Sequence, residues 1–321
     1  MKRSIWLGPW DLEDRDPDIV LDELVGLGLN ACSLALSYHG GRMVLPRHPK
    51  RFVYELHPSA VYVPVELSEF GRLKPEVSPL SAIVPAFLDA AQRRGFPVWA
   101  WTVLCHNDHL GTLAPDCCVE NAFGDRYTYA LCPSHPDVQK YVVALCAALS
   151  AIPGITGLDV EALSFLGHEH ASLHDKCGVD WSTQKSSLLS LCFCEYCHPP
   201  DELRRAVRHA IRTDGEVDWS ELLAIRQSTL QALLSKLRTA VGHTPINLRI
   251  SLDPRFHGGK TALPLHLIAG LVNTATITFF GANLESIRQQ LAELSATKLP
   301  IEAGFVFHGP DCTSLEDLLA A

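Results

Sequence analysis

Three cysteines lie within six residues in the run Cys192-Phe-Cys194-Glu-Tyr-Cys197. Three thiols this close in sequence are unlike independent buried cysteines of one core element. A shared metal ion is the simplest physical explanation of their spacing. Structural zinc takes four soft ligands in a closed tetrahedron, and this run supplies three of them. The fourth ligand is Cys132 or Cys177, with His198 as a further option, whereas the alternative to zinc is a loop of reduced thiols. A site closed by thiolates leaves no position for water, so it predicts a structural metal.

A pair of carboxylates is the second candidate for chemistry, in the run Gly157-Leu-Asp159-Val-Glu161-Ala-Leu163. Side chains of a strand repeat with a period of two, so Asp159 and Glu161 share one face. At the carboxyl end of a barrel strand that face opens into the mouth, where burial raises the pKa of a carboxyl group and suits it to protonate a leaving group. We therefore predict that Glu161 is a catalytic acid/base. The alternative is a buried glutamate that pairs with a neighbouring arginine for stability.

Glycoside hydrolysis needs a second carboxylate, about 5 Å away in a retaining enzyme and further away in an inverting one. Glu302 is the leading candidate because it lies on the last predicted strand, although it stands early in that strand. Asp253 and Asp311, each just after a predicted strand, are the alternatives.

A histidine-rich loop follows the carboxylates, with His168, His170 and His174 within seven residues. His170 and His174 would share one face of a helix, as a metal-binding pair requires. The zinc-peptidase order HExxH is absent, however. Substrate hydrogen bonding is the leading interpretation of the loop, and a catalytic metal site or a solvated loop are the alternatives.

Further donors and aromatic rings follow or end predicted strands, where sugar recognition would need them. The donors are His39, Arg42, His106, Asn107 and Arg249, and the rings are Trp10, Trp101 and Phe279. Each of these residues taken alone is equally typical of a core histidine, a structural arginine pair or ordinary packing. Their convergence on one end of a barrel carries the interpretation.

Short apolar runs alternate with amphipathic stretches, which is typical of βα units around a parallel sheet. The predicted strands are Ser4 to Trp10, Ala31 to Tyr38, Phe96 to Cys105, Ile155 to Leu163, Ile246 to Leu252, Thr274 to Phe280 and Ile301 to Phe307. The predicted helices are Pro17 to Gly28, Pro79 to Gly95, Pro136 to Ile152, Ser220 to Val241 and Asn283 to about Thr297. We therefore expect one α/β domain over residues 1–321, a (β/α)8 TIM-like barrel that lacks its eighth unit through truncation or irregular closure.

Two insertions follow strands, on the catalytic face of such a barrel. Residues 39–77 contain a predicted β-hairpin in which Phe52 to Leu56 pairs with Val61 to Val65. Residues 164–218 hold the histidine loop and the cysteine cluster.

The composition limits the function classes. The formal net charge is −9, which argues against nucleic-acid and membrane partners, since both need clustered Lys and Arg. No apolar run approaches the length of a membrane span, and the start of the chain is too short and acidic for a signal peptide. We therefore expect a cytoplasmic protein in which the eleven cysteines are thiols or metal ligands. Its surface could also support a homo-oligomer.

The chain resembles the catalytic barrel of the family 42 β-galactosidases among glycoside hydrolases. The resemblance covers roughly residues 100–200 and rests on Leu131-Cys132-Pro133, on an acidic fourth strand that ends in Glu161, and on the Cys-x-Cys-x-x-Cys run. It implies one structural zinc bound by Cys132, Cys192, Cys194 and Cys197. In that family an asparagine precedes the acid/base glutamate, whereas Val160 precedes Glu161 here. The runs His39-Gly-Gly-Arg42 and His106-Asn107, each just after a predicted strand, also resemble runs in uncharacterised barrel proteins assigned as glycosyl hydrolases.

These observations predict a glycosidase that acts on a small carbohydrate by carboxylate catalysis, with structural zinc and no organic cofactor. Two alternatives stay open. One is a metal-dependent hydrolase or lyase that uses the histidine loop, and the other is a carbohydrate-binding barrel without catalysis.

Overall fold

The structure is a computed structural model that describes residues 2–56, 58–170, 183–251, 264–280 and 298–306. Its strands are β1 (Ser4–Leu7), β2 (Ala31–Tyr38), β3 (Gly41–Val44), β4 (Val53–Leu56), β5 (Ala60–Val61), β6 (Glu76–Val77), β7 (Val98–Val103), β8 (Cys118–Glu120), β9 (Arg126–Leu131), β10 (Ile155–Glu161), β11 (Ile246–Ser251), β12 (Thr274–Phe280) and β13 (Ile301–Val306). Its helices are α1 (Pro17–Gly26), α2 (Val84–Arg93), α3 (Asp108–Leu113), α4 (Pro136–Ser150), α5 (Thr183–Leu189), α6 (Asp201–Thr213), α7 (Ser220–Val241) and α8 (Leu265–Ile268).

Seven strands form a parallel series in the order β1, β2, β7, β10, β11, β12 and β13. Parallel neighbours require a crossover connection, and helices α1, α2, α4 and α7 lie in four of these connections. This arrangement confirms the predicted α/β class with a mainly parallel central sheet, and the seven predicted strands are all present.

The central strands are buried on both faces, as their nearly continuous apolar sequences require. Strand β2 is buried at seven of its eight positions. Helix α4 packs against β10 and buries Tyr141, Leu145 and Leu149 completely. The hydrophobic core therefore holds β10, the strand that carries the two candidate carboxylates, in a fixed position.

Strands β1 and β13 are the two ends of the parallel series, and no hydrogen-bonded pairing joins these two described strands. Side chains meet across the gap between them. The ring of Trp6 lies over Gly304, where an added Cβ atom would come within 2.7 Å of the indole. Lys2 Nζ lies 3.0 Å from Glu302 Oε2 at the same place. We call this junction of Lys2, Trp6, Glu302 and Gly304 the seam.

The first insertion contains a β-hairpin, as predicted, but the predicted pairing of Phe52 to Leu56 with Val61 to Val65 is wrong. Strand β4 pairs with β3 in an antiparallel hairpin, and β5 instead joins the edge of the central sheet beside the end of β2. Period-two alternation marked the strands correctly, but it does not say which strand pairs with which.

Several predicted bounds also change. The first strand ends at Leu7 because Pro9–Asp11 form a 3-10 turn, and the stretch from Pro79 divides into a 3-10 turn and α2. Helices α3, α5 and α6 and the antiparallel pair β8 and β9 had no counterpart in the sequence prediction.

Other predictions lie outside the described residues, namely the helix from Asn283 and the sites His174, Cys177, Asp253 and Asp311. Within the described part of the chain, no helix combines the length and apolar character needed to cross a bilayer.

Candidate active site

The two carboxylates of β10 face the interior of the strand series near its carboxyl end. Asp159 is 1% exposed and Glu161 is 8% exposed. Ala162, the next residue, has a φ of 57°, a left-handed backbone conformation that residues other than glycine rarely adopt. Such strain persists only where the surrounding structure enforces it, and here the carbonyls of Glu161 and Ala162 still accept from Leu104 N and Cys105 N beside the end of β7.

Arg249 of β11 joins the two carboxylates. Its Nη2 lies 3.0 Å from Asp159 Oδ2, its Nη1 lies 2.6 Å from Glu161 Oε2, and its Nε lies 3.2 Å from both oxygens of Asp159. The alternative that sequence analysis left open, a buried glutamate paired with an arginine, is therefore present in the structure. We call Asp159, Glu161 and Arg249 the carboxylate cluster.

Two tryptophans enclose the guanidinium. Its carbon lies 4.1 Å from the ring centroid of Trp6 and 4.4 Å from that of Trp101, distances at which cation–π attraction acts. The same indoles donate to the carboxylates, from Trp6 Nε1 to Asp159 Oδ2 (3.3 Å) and from Trp101 Nε1 to Glu161 Oε2 (2.6 Å). Oε2 of Glu161 thus accepts from a cation and from an N–H group, and both contacts favour the ionised carboxylate.

Aromatic and imidazole rings continue from the cluster towards the mouth. Tyr38 contacts Trp101 edge-on at 4.9 Å between ring centroids, and His39 stacks on Tyr38 at 4.2 Å. His106 stacks on His39 at 3.9 Å. Burial, and then the negative charge of Glu161, raise the pKa of Tyr38, so its phenol keeps its proton at neutral pH.

The predicted histidines divide into two groups. His170 Nε2 lies 2.9 Å from His106 Nδ1, so His39, His106 and His170 form one ring cluster, which we call the imidazole stack. His168 is buried, and its backbone N–H donates to Ser190 Oγ over 3.1 Å.

Two other predicted binding residues have structural roles here. Asn107 caps α3, since its Oδ1 accepts from Leu110 N over 2.8 Å, and its Nδ2 donates to Tyr141. Arg42 lies on β3, where its largely exposed guanidinium pairs with Glu55 of β4. Neither side chain contacts the carboxylate cluster in the described structure.

Glu302 is not beside Glu161. It is the second residue of β13, whereas Glu161 is the last residue of β10, and parallel strands begin at the same end of a sheet. Its carboxylate pairs instead with Lys2 at the seam. This placement does not fit the role of nucleophile that its strand had suggested.

The cysteine cluster gathers Cys132, at the end of β9, with the three cysteines of the later run. Cys132 Sγ lies 3.6 Å from the sulfurs of Cys194 and Cys197 and 3.7 Å from that of Cys192. All four side chains are buried, and their sulfurs lie within 4.8 Å of one another. His198 is not part of this group.

A second group that could hold a metal contains Asp116, Cys117 and His135. The guanidinium of Arg72 already lies there, 2.5 Å from Asp116 Oδ2 and 2.8 Å from Cys117 Sγ. Neither metal-capable group found in the described residues includes His168 or His170, and His174 lies outside those residues.

The fold can be compared with solved structures. The α-L-fucosidase isoenzyme 2 from Paenibacillus thiaminolyticus superposes with a TM-score of 0.50 at 11% sequence identity, over 95% of this chain and 46% of the fucosidase. The parallel strand series of this chain is therefore similar in fold to that enzyme. This chain spans less than half the length of the fucosidase, and at such low identity the likeness concerns the fold alone.

Two further structures have TM-scores of 0.49. The PgaB (BpsB) glycoside hydrolase domain from Bordetella bronchiseptica matches at 14% identity, over 95% of this chain and 94% of that domain. The β-galactosidase from the psychrophilic Marinomonas ef1 matches at 8% identity, over 88% of this chain and 41% of that enzyme. No protein-family model and no curated protein matches the sequence, so membership of family 42 stays a prediction.

Sequence reasoning missed Trp6, Tyr38 and Arg226. Trp6 and Tyr38 stand on predicted strands at positions that could face inward, which was a usable signal. Arg226 occupies an apolar position of α7, four residues after Leu222 and four before Leu230, and is 1% exposed. A charged residue within a stripe of leucines marks a buried cation that needs a partner.

Proposed function

We propose that this protein is a glycoside-hydrolase-like enzyme that acts on a carbohydrate at the mouth of the strand series. The observation that carries the proposal is the carboxylate cluster at the carboxyl end of β10, with aromatic and imidazole rings on the approach to it. Barrel enzymes of this fold place their chemistry at that end of the strands. The substrate would be a sugar bound against aromatic faces, with the imidazole stack supplying hydrogen-bond partners for hydroxyl groups.

The contacts of Glu161 change the role proposed for it. A general acid must carry a proton, whereas Arg249 and Trp101 both donate to Oε2 and favour the carboxylate. An ionised carboxylate suits attack on the anomeric carbon, or stabilisation of the positive charge that develops there. We therefore propose Glu161 as that anionic group in place of the acid/base role. Asp159 would hold Arg249, and so orient Glu161, without itself reacting.

The barrel itself is part of the proposal. The seven parallel strands would form a barrel closed at the seam by side chains, with the ring of Trp6 against Gly304, instead of by an eighth strand.

We propose structural zinc at Cys132, Cys192, Cys194 and Cys197. Zinc–sulfur bonds of about 2.3 Å in a tetrahedron place the sulfurs roughly 3.8 Å apart. The measured separations of 3.6 and 3.7 Å fit that geometry. The described cysteines are unpaired, as a reducing cytoplasmic compartment would keep them. A zinc ion bound there would hold the cysteine run against the end of β9, and its closed ligand set provides no reaction step.

The test uses a panel of dinitrophenyl glycosides, because this leaving group departs without help from an acid. We expect the wild type to cleave one of them and Glu161→Gln to lose at least about 100-fold in kcat/KM. With Glu161→Ala, added azide should restore turnover and form a glycosyl azide if Glu161 is the nucleophile. Glu302→Gln is the matched control and should keep wild-type activity. Equal activity of Glu161→Gln and wild type would refute the proposal.

A carbohydrate-binding protein without catalysis is the second candidate. It is favoured by one observation, that Arg249 engages both buried carboxylates while Glu302 lies at the seam. The same panel separates the two functions. A sugar that binds in calorimetry but is not cleaved, with binding weakened by His39→Ala, would support the second candidate.

A further inference from the structure

Arg226 is a buried cation that has no carboxylate partner among the described residues. It lies on the inner face of α7 and is 1% exposed. In the part of the chain that the structure describes, no salt bridge involves it, and its Nε and Nη1 have no hydrogen-bond partner. A charged group in this position is strongly disfavoured unless an opposite charge lies nearby.

The neighbours of Arg226 identify where that opposite charge would be. Its Nη2 donates to the carbonyl of Ser190, two residues before the first cysteine of the run, over 3.2 Å. Burial lowers the pKa of Arg226, and the nearby sulfurs of Cys197, Cys192, Cys132 and Cys194 act in the opposite direction. Four neutral thiols would leave the cation uncompensated. A divalent metal with four thiolates carries a net charge of −2 and would compensate it.

Arg226 also contacts the segment that follows the carboxylate cluster. Its guanidinium carbon lies 4.2 Å from the ring centroid of Phe165, four residues after Glu161. Ser190, whose carbonyl accepts from Arg226, uses its Oγ to accept from the backbone N–H of His168. Phe165 and His168 are therefore each linked to Arg226, Phe165 by direct contact and His168 through Ser190.

We propose that Arg226 is the buried counter-charge of the metal–thiolate site and that, through Phe165 and Ser190, it couples metal occupancy to the position of residues 165–168 at the barrel mouth. The inference rests on the zinc site proposed above. It makes Arg226 a positioning residue, which touches neither the metal nor a substrate.

The first test measures zinc affinity by competition with a chromogenic chelator. Arg226→Met keeps a similar volume without charge and should bind zinc about 10- to 100-fold more weakly, as is usual when an outer-shell partner of a metal site is lost. Arg226→Lys keeps the charge and should stay within about 3-fold of wild type. Arg238→Met is the matched control, since Arg238 lies on the same helix and donates to Thr244 instead. It should leave zinc affinity unchanged.

The outcomes separate the two proposals. A wild type that binds one zinc, with an equally tight Arg226→Met variant, overturns the counter-charge alone. A wild type that binds no zinc overturns the metal site and this inference together. Cobalt in place of zinc reports on ligation, because its sulfur charge-transfer band shows whether four thiolates still bind in each variant. If Arg226→Met does not fold, Arg226→Lys decides: a loss of affinity as large as 10-fold despite retained charge contradicts the proposal.

The second test concerns the coupling. Hydrogen exchange of a peptide that covers residues 163–170 should become faster when zinc is removed from the wild type, and also in zinc-loaded Arg226→Met. A peptide from the β3–β4 hairpin serves as the control and should not change. Unchanged exchange in residues 163–170 after zinc removal would overturn the coupling.

Discussion

Arg249 donates from Nη1 to Glu161 Oε2 over 2.6 Å, and the side chains of the two residues are only 6% and 11% exposed. Asp159 accepts from the same guanidinium, and its side chain is also buried. One buried cation therefore serves two buried carboxylates. Removing it would leave two buried negative charges that keep hydrogen bonds from the indoles but lose the opposite charge.

We expect Arg249→Met to lose about 3–5 kcal/mol of unfolding free energy at pH 7, because an uncompensated buried charge carries that order of cost. Urea unfolding followed by circular dichroism provides the measurement. Arg42→Met is the control, since Arg42 pairs with Glu55 in solvent and should lose less than about 1 kcal/mol. The triple variant with Asp159→Asn and Glu161→Gln should recover most of the loss. Equal effects of the two arginine variants would contradict this account.

The carboxyl group of Asp108 predicts how the stability of the protein depends on pH. Burial raises its pKa, but hydrogen bonds from Ser59, from Gly40 N–H and from its own N–H outweigh burial, so the pKa is lowered overall. A carboxyl group with a lowered folded pKa stabilises the protein above its unfolded pKa of about 3.9 and loses this contribution as the pH falls through the folded value. We expect Asp108→Asn to be less stable than wild type at pH 6, with a difference that shrinks towards pH 3. A difference in stability that stays constant from pH 6 to pH 3 would contradict this account.

The cysteine cluster gives a prediction for metal content. Cys194→Ser should reduce zinc from one per chain to well below one, because a serine oxygen replaces a thiolate ligand. Cys146→Ser is the control, since Cys146 is equally buried in α4 but lies outside the cluster, and it should keep its zinc. Chelation should lower the melting temperature of wild type and of Cys146→Ser by several degrees, as loss of a ligand of the native state does, and leave Cys194→Ser unchanged. Equal zinc content in both variants would argue against the site.

The seam gives a prediction for packing. An alanine at Gly304 would place its Cβ atom 2.7 Å from the Trp6 ring and 2.9 Å from Thr276 Cγ2, so one element must shift. We expect Gly304→Ala to cost about 1–3 kcal/mol in urea unfolding. Gly26→Ala is the contrasting variant, since no heavy atom lies within 4 Å of its added Cβ atom. It should be neutral or slightly stabilising, because alanine is the better helix former.

The sequence was sufficient for the features that depend on local pattern. The period of two placed Asp159 and Glu161 on one face, and the spacing of the cysteine run placed three sulfurs together. The sequence was not sufficient to identify the side chains that contact Glu161. Arg249 is 88 residues away along the chain, and only the pairing of β10 with β11 brings it to the carboxylates. Glu302 failed as a candidate for a related reason, because its level within the sheet depends on register and on the contact with Lys2.

Trp6 contacts groups from different parts of the chain, among them Gly304 across the seam, the guanidinium of Arg249 and the carboxylate of Asp159. One indole thus belongs both to the junction with no backbone pairing and to the centre of the proposed chemistry. On heating, the junction should loosen before the hydrogen-bonded strands separate. Cleavage of a dinitrophenyl glycoside should then be lost at a lower temperature than the helical circular dichroism signal, so that the chain becomes inactive while most of its fold is intact.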